Sequence, residues 1–329
     1  MKRAEKRALS SILALVMMLQ IVFVSGITAS ASNEMPIVPA EPQVSISGLN
    51  LLLDGEIGLV YHVYVPDDYP DGYVTLSCKD DTVRIDIKDC TAFDKNLRYM
   101  FTYHLSAIAL SEEVTITVYD KNGTSLATAS ESAEGYAKRL LDDPKATDAE
   151  KKVAETLINY GHYAQLACAE ANGWVIGETF AETAAFYAPS VDPSVFSGYD
   201  IEWSTHSGSF TELSVSLRLD YKTSLVLYVP VDEKPTVKVN GKEIEATPGE
   251  RVANTYRIEI PGINALSLAD QYTVEINDVT VTLCAFSYCR LAAEYNNSQN
   301  VIDTIRALYE FFIATDSYLH PNTESEAVK

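Results

Sequence analysis

The chain has 329 residues, 47% of them hydrophobic and 22% charged, enough for two domains of ordinary size. Its formal net charge of −21 argues against nucleic acid and anionic membrane surfaces as partners, since Lys and Arg must neutralise their phosphates. A surface this acidic keeps copies of the chain apart in solution.

Lys2, Arg3, Lys6 and Arg7 form a basic leader, an apolar segment covers residues 9–24, and Ala29-Ser30-Ala31 supplies a small-residue cleavage pattern. Residues 1–31 therefore read as a secretory signal peptide. Removing the leader's four cations and Glu5 takes the mature chain, from Ser32, to a net charge of −24. A membrane anchor is the alternative, but the apolar run is short for the ~20 residues of a spanning helix. The expected location is extracellular, with any surface attachment made through a partner and no membrane insertion after signal removal. Residues 32–43 form a Pro-containing spacer.

Short apolar or alternating runs follow at residues 44–54, 59–66, 74–78, 83–87, 99–105 and 114–119. Lys79-Asp80-Asp81-Thr82 is a predicted hairpin turn, and Asn122-Gly123 is a strong two-residue turn signal leading into a strand at 125–128. Short strands at this spacing predict a sandwich or a partly open barrel. Ser132 caps a predicted helix over 133–141, which Pro144 ends.

The next element is the most strongly marked in the chain. Thr147 with Glu150 three residues on has the form of a capping box, and Val153, Leu157, Tyr160, Gly161, Ala164 and Cys168 then recur at helical spacing. One apolar face must therefore dock on a neighbour. Gly161 costs roughly 0.5–1 kcal/mol relative to Ala inside a helix, which predicts close approach of another element there. The helix reads as the lid of a β-rich module.

Residues 175–200 read as a linker, with Pro189, Pro193 and Gly198 and a predicted helical turn around 181–187. Beyond it the same order of elements returns. Tyr228-Val229-Pro230 echoes Tyr64-Val65-Pro66, a hairpin around Asn240-Gly241 stands where the Lys79 turn stood, and residues 272–278 parallel 114–120. Val301, Ile305, Leu308 and Phe312 fall at the offsets of Val153, Leu157, Tyr160 and Ala164, and Asp303-Thr304 meets Glu155-Thr156. The sequence thus predicts a duplication. The expected fold class is mainly β with α: two tandem β-sandwich-like modules, residues 44–174 and 201–319, each closed by a C-terminal helical hairpin. A disordered tail is expected over 320–329.

The run A-E-T-L-I-N-Y-G-H-Y-A-Q at residues 154–165, preceded by G-Y-A-K-R-L-L at 135–141, resembles an uncharacterised accessory module of secreted and surface proteins of gut-dwelling Gram-positive anaerobes. The resemblance covers the first copy and departs through most of the second copy's closing helix. It implies a secreted or surface accessory protein and transfers no catalytic residue.

The five cysteines leave at least one thiol over. Cys78 and Cys90, at the ends of a predicted strand pair, are the disulfide candidate, against the favoured reading of buried free thiols. No CxxC spacing supports zinc or redox chemistry, and no GxSxG, HExxH, Walker or dinucleotide motif appears, so no cofactor is expected. His62 and His104 lie on predicted strands, as a conceivable metal or acid–base pair or, more commonly, as half-buried strand histidines. His162, His206 and His320 have no evident partner in the sequence, and Asp120-Lys121-Asn122-Gly123 fits a hairpin turn better than a calcium loop. Trp174 and Trp203 flank the linker and are the candidate ligand-binding residues, aromatic platforms for sugar rings, against the favoured alternative that they staple the modules together. The expected function is non-catalytic extracellular binding or adhesion directed at carbohydrate or a surface protein. The alternatives are a secreted glycan hydrolase using acidic residues near the hairpin loops, and an architectural spacer.

Overall fold

The computed structural model describes residues 43–53, 57–66, 71–92, 98–204, 208–219, 223–249 and 254–320. The expected signal peptide, nearly all of the expected spacer, His206 and residues 321–329 lie outside the described residues. Among the described residues the chain is mixed α and β, with four helices and several antiparallel sheets.

The first half runs β1 (Ser45–Leu52), β2 (Ile57–Tyr64), β3 (Tyr73–Cys78), β4 (Asp81–Asp86), β5 (Arg98–Leu105), β6 (Val114–Tyr119) and β7 (Ser125–Glu131), then helices α1 (Ala133–Asp142) and α2 (Asp148–Asn172). Its strands form a three-stranded sheet of order β1-β2-β5 and a four-stranded sheet of order β4-β3-β6-β7. After a 3-10 turn at Pro193–Phe196 come β8 (Glu202–Trp203), β9 (Ser214–Arg218), β10 (Ser224–Val229), β11 (Val237–Val239), β12 (Lys242–Ile244), β13 (Thr247–Pro248), β14 (Tyr256–Pro261), β15 (Tyr272–Ile276) and β16 (Val279–Leu283). These form sheets of order β13-β14-β10-β9 and β12-β11-β15-β16-β8. Helices α3 (Ala285–Tyr295) and α4 (Gln299–Leu319) end the described chain.

The turns follow their local chemistry. Asn240 and Gly241 both take positive φ, 49° and 80°, the combination a two-residue hairpin requires. At the β6–β7 connection Gly123 has φ 86°, and Asp120 Oδ1 accepts from the Asn122 and Thr124 amides at 2.8 Å each. This is a side-chain-supported turn.

The chain divides into two compact units whose boundary falls inside α1. One unit holds the described residues up to Leu52 together with Gly58–His104 and Glu112–Tyr136. Its core is supplied by Leu59, Tyr61 and Val63 of β2, Val74 and Leu76 of β3, Phe101 of β5 and Ile116 and Val118 of β6, all buried. Two tyrosines bridge its sheets: Tyr61 donates to the Val114 carbonyl at 2.7 Å, and Tyr103 donates to Asp81 Oδ2 at 2.9 Å. The other unit holds Leu105–Ser111 and the described residues from Ala137 onward, which include α2, α3 and α4.

Within that second unit, α2 starts as the capping box requires, with Glu150 N–H donating to Thr147 Oγ1 and Thr147 N–H donating to Glu150 Oε2. Gly173, at φ 66°, ends it. The apolar face of α2 docks on α4 and on the short 3-10 turn Ala107–Ala109. Gly161 marks that second contact: a Cβ there would stand 2.4 Å from Leu110 Cδ1 and 3.0 Å from the Ala107 carbonyl oxygen. The close approach expected at Gly161 is present, and its partner is this turn.

Two sequence expectations are corrected. Residues 181–187 form no helical turn, because their backbone groups are satisfied by side chains of α2, and a 3-10 turn lies instead at Pro193–Phe196. Cys78 and Cys90 are free thiols. In the β3–β4 hairpin Cys78 faces Asp81, whereas Tyr73 faces Asp86, four residues before Cys90. Those two ends lie roughly 16 Å apart at ~3.3 Å per residue, beyond the ~4–7 Å Cα separation of a disulfide.

Candidate functional site

The site grows out of the polar residues that interrupt the apolar face of α2. Asn159 and Gln165 are almost completely buried in it, at 1% and 3% exposure. A buried amide must find partners for both its oxygen and its nitrogen, and these do so on the segment after α2. Gln165 Oε1 accepts from the Thr183 amide at 2.9 Å, and its Nε2 donates to the Ala181 and Ile108 carbonyls at 2.8 Å each. Asn159 Oδ1 accepts from the Phe186 amide at 2.8 Å, and its Nδ2 donates to the Tyr187 carbonyl at 3.3 Å. His162 Nδ1 donates to the Thr183 carbonyl at 2.6 Å, and the Tyr163 hydroxyl donates to the Tyr187 carbonyl at 3.2 Å. Residues 181–187 are thereby strapped along α2 in an irregular conformation.

The far end of the strap is held by α4. Glu310 Oε1 accepts from the Ser190 amide at 2.7 Å, the Ser190 hydroxyl at 3.1 Å and the Val191 amide at 3.2 Å. Arg306 Nε donates to the Val191 carbonyl at 2.7 Å. Glu310 Oε2 is buried and makes no hydrogen bond among the described residues.

A cleft of about 590 Å³ opens between these pieces. Its wall is made by Asp148 and Lys152 from the first turns of α2, Tyr187 and Ser190 from the strap, and Tyr309, Glu310 and Ile313 from α4. That volume lies within the ~300–1,000 Å³ typical of small-molecule sites. Lys152 Nζ donates to Glu155 Oε2 at 2.9 Å and to the Tyr187 hydroxyl at 3.2 Å, and it stands 4.7 Å from the Tyr187 ring centroid. Burial works against the Lys152 charge, but Glu155 and Tyr187 outweigh it and hold the ammonium's pKa above the ordinary lysine value. Burial pushes the Tyr187 phenol upward, Lys152 opposes this, and the carboxylates of Glu310 and Glu155 add to it. The cleft thus offers one aromatic ring, an ordered ammonium and carboxylates to a polar ligand.

The tryptophans singled out by the sequence lie in the same compact unit, each with its own ring partner. Trp174 is 39% exposed and packs on Phe180 at 5.7 Å, over an apolar nook of about 10 Å³ beside Cys168, room for no more than one water. Trp203, half-buried in β8, packs edge-on to Phe210 at 5.8 Å. His62 and His104 are not brought together. His62 Nε2 accepts from Asn50 Nδ2 at 3.0 Å, whereas His104 is exposed and stands beside Gly58, four residues away along β2. Among the described residues no group of three His, Cys, Asp or Glu is placed to hold a metal ion, and no helix is long and apolar enough to cross a membrane.

Sequence reasoning missed Tyr187, Tyr309 and Glu310. The available signal was the pair of amides, Asn159 and Gln165, on an otherwise apolar helix face. No protein-family model matches the chain, and no curated protein matches its sequence.

Proposed function

We propose that the chain is a secreted, non-catalytic extracellular binding protein that recognises carbohydrate in the cleft between α2, the strap and α4. The observation that carries this reading is the cleft itself. A pyranose has apolar C–H faces and a polar rim, and the cleft pairs the Tyr187 ring with carboxylates and an ammonium fixed by neighbouring groups. The leader over residues 1–31 supports the extracellular location.

Duplication belongs to the same proposal: two related β-sandwich-like modules, each closed by a helical hairpin. Its support is order. The sheet β1-β2-β5 corresponds to β9-β10-β14, and β4-β3-β6-β7 corresponds to β12-β11-β15-β16, with α1 and α2 answering α3 and α4. The later half adds β13 and β8 at sheet edges. Thr156 and Thr304, at matching positions, each bond back to the carbonyl four residues earlier, at 2.8 and 2.7 Å.

A hydrolase is the second reading, favoured by one observation: the lining holds two carboxylates, Asp148 and Glu310, and glycosidases work with such pairs. Both readings meet in one experiment, in which the chain from Ser32 is applied to plant, mucin and bacterial cell-wall glycans and the glycans are then analysed for cleavage. Binding without cleavage, weakened about tenfold or more in Tyr187→Ala and unchanged in Trp203→Ala, is the expected result. Cleavage moves the function to the hydrolase. Loss in Trp174→Ala with Tyr187→Ala unaffected moves the site to the end of α2, and no binding to any glycan removes the sugar reading.

A further inference from the structure

We infer that the first half carries a docking face for an uncharged polysaccharide, on the outer side of the sheet β4-β3-β6-β7. The face is separate from the cleft and takes another form of ligand: the flat side of a polymer, with no pocket around it.

The sheet register builds the face in rows. Val74 and Leu76 of β3 and Ile116 and Val118 of β6 are buried in the core, so the residues alternating with them point outward. One row pairs Ser77 with Thr115 and Thr115 with Ser130; the next pairs Thr75 with Thr117 and Thr117 with Thr128. These six positions carry only hydroxyls. Those of Thr115 and Ser130 bond to each other at 2.7 Å, and Thr128 donates to Thr117 at 3.3 Å. A hydroxyl has one donor and two acceptor positions, so these bonds leave positions over for a ligand.

The third row is aromatic. Arg84 of β4 stands 3.6 Å from the centre of the Tyr73 ring, and Tyr73 stacks on Tyr119 at 4.8 Å and 15°. On its other side Tyr119 pairs with Ser125, an exposed residue that adds no ring. The stack therefore ends one strand short of the sheet edge, where the C–H face of a pyranose would complete it.

Charge selects the occupant. The chain carries −21 overall, yet among the described residues this face is balanced, because Arg84 is bonded to Asp86 at 3.1 Å. The sheet β12-β11-β15-β16-β8 shows the ordinary alternative, with Glu243, Lys238 and Glu275 side by side on its outer face. A balanced face of hydroxyls has no spare cation for an acidic glycan and matches the donors and acceptors of a neutral one.

The test measures retention of the full mature chain on particles of cellulose, starch and cross-linked polygalacturonate at two salt concentrations. The expected result is retention on at least one of the neutral polymers, unchanged by salt, and none on the acidic one. Tyr119→Ala weakens it about tenfold, and Ser125→Trp, which fills the end of the stack at an exposed position, does the same even if the first variant disturbs the sheet. Glu275→Gln on the other sheet and Tyr187→Ala in the cleft leave retention unchanged. Retention lost in Tyr187→Ala but kept in Tyr119→Ala and Ser125→Trp assigns the polymer to the cleft and overturns the inference. Retention on polygalacturonate equal to that on the neutral polymers, or none on any particle, overturns it as well. The cleft is assayed separately with short soluble oligosaccharides, so either reading can fail without the other.

Discussion

Helices α2 and α4 lie against one another, with Tyr160 and Phe311 stacked at 5.9 Å, yet they meet the rest of their unit through opposite chemistries. The buried side of α4 is aromatic. Phe286 of α3, fully buried, stands 5.1–5.5 Å from the rings of Phe196, Tyr199, Tyr309 and Phe312. The buried face of α2 carries Gly161 and Ala164 instead of rings, and inserts amides that hold the strap. Apolar packing on α4 is tolerant of small shifts, whereas directed hydrogen bonds on α2 fix one path for residues 181–187. Tyr187, the cleft residue of this segment, is held by the second kind of support.

The contrast breaks most visibly at Phe286. Phe286→Ala should cost about 3–5 kcal/mol of unfolding free energy, read from the denaturant midpoint, because four rings lose their common neighbour. On the polar side, Gln165→Leu keeps the volume roughly constant but strands the Thr183 amide and two carbonyls, for about 1–3 kcal/mol. Faster hydrogen exchange at Thr183 and proteolytic cleavage within 181–187 should accompany it; unchanged exchange there would mean the amide does not hold the strap.

Gly161→Ala tests the close approach. A gain of ~1 kcal/mol in helix propensity opposes overpacking of ~1–3 kcal/mol against buried Leu110 and the Ala107 carbonyl, giving a net loss of up to about 2 kcal/mol. Thr147→Ala, which removes the cap, should cost about 1 kcal/mol. The smallest effect is at Glu170, whose carboxylate ties α2 to the start of α4 by accepting from Ser298 at 2.6 Å and Asn300 at 2.9 Å. Those donors, Ser298 first, hold its pKa below the ordinary glutamate value. A depressed folded-state pKa gives stability that is present above the unfolded value and lost as pH falls through the folded one. Glu170→Gln should therefore flatten slightly the acid limb of Tm against pH, below about pH 4.3.

What was legible in the sequence was local. The Thr147–Glu150 box, the Asn240-Gly241 hairpin and the β6 strand are written in residues a few positions apart, and each formed where expected. The cleft was not legible, because its parts come from three places joined by bonds of long sequence separation. An apolar stripe on α2 says that a partner is needed without saying whether that partner is a sheet, a turn or α4. Glu310 reads as an ordinary solvated helix residue until Ser190 and Val191 are folded onto it. The two tryptophans drew attention by rarity, a property of composition that carries no geometry.

The pairing of α2 with α4 has a consequence for how the chain can be divided. Whatever the ancestry of the two halves, α2 and α4 are each other's neighbours across the chain. A gene fragment ending near residue 174 would leave Tyr160 without the ring of Phe311, and one starting near residue 201 would leave Phe311 without the ring of Tyr160. The halves are inheritable only as a couple, and a partial copy moved into another protein would have to find a substitute for the missing helix.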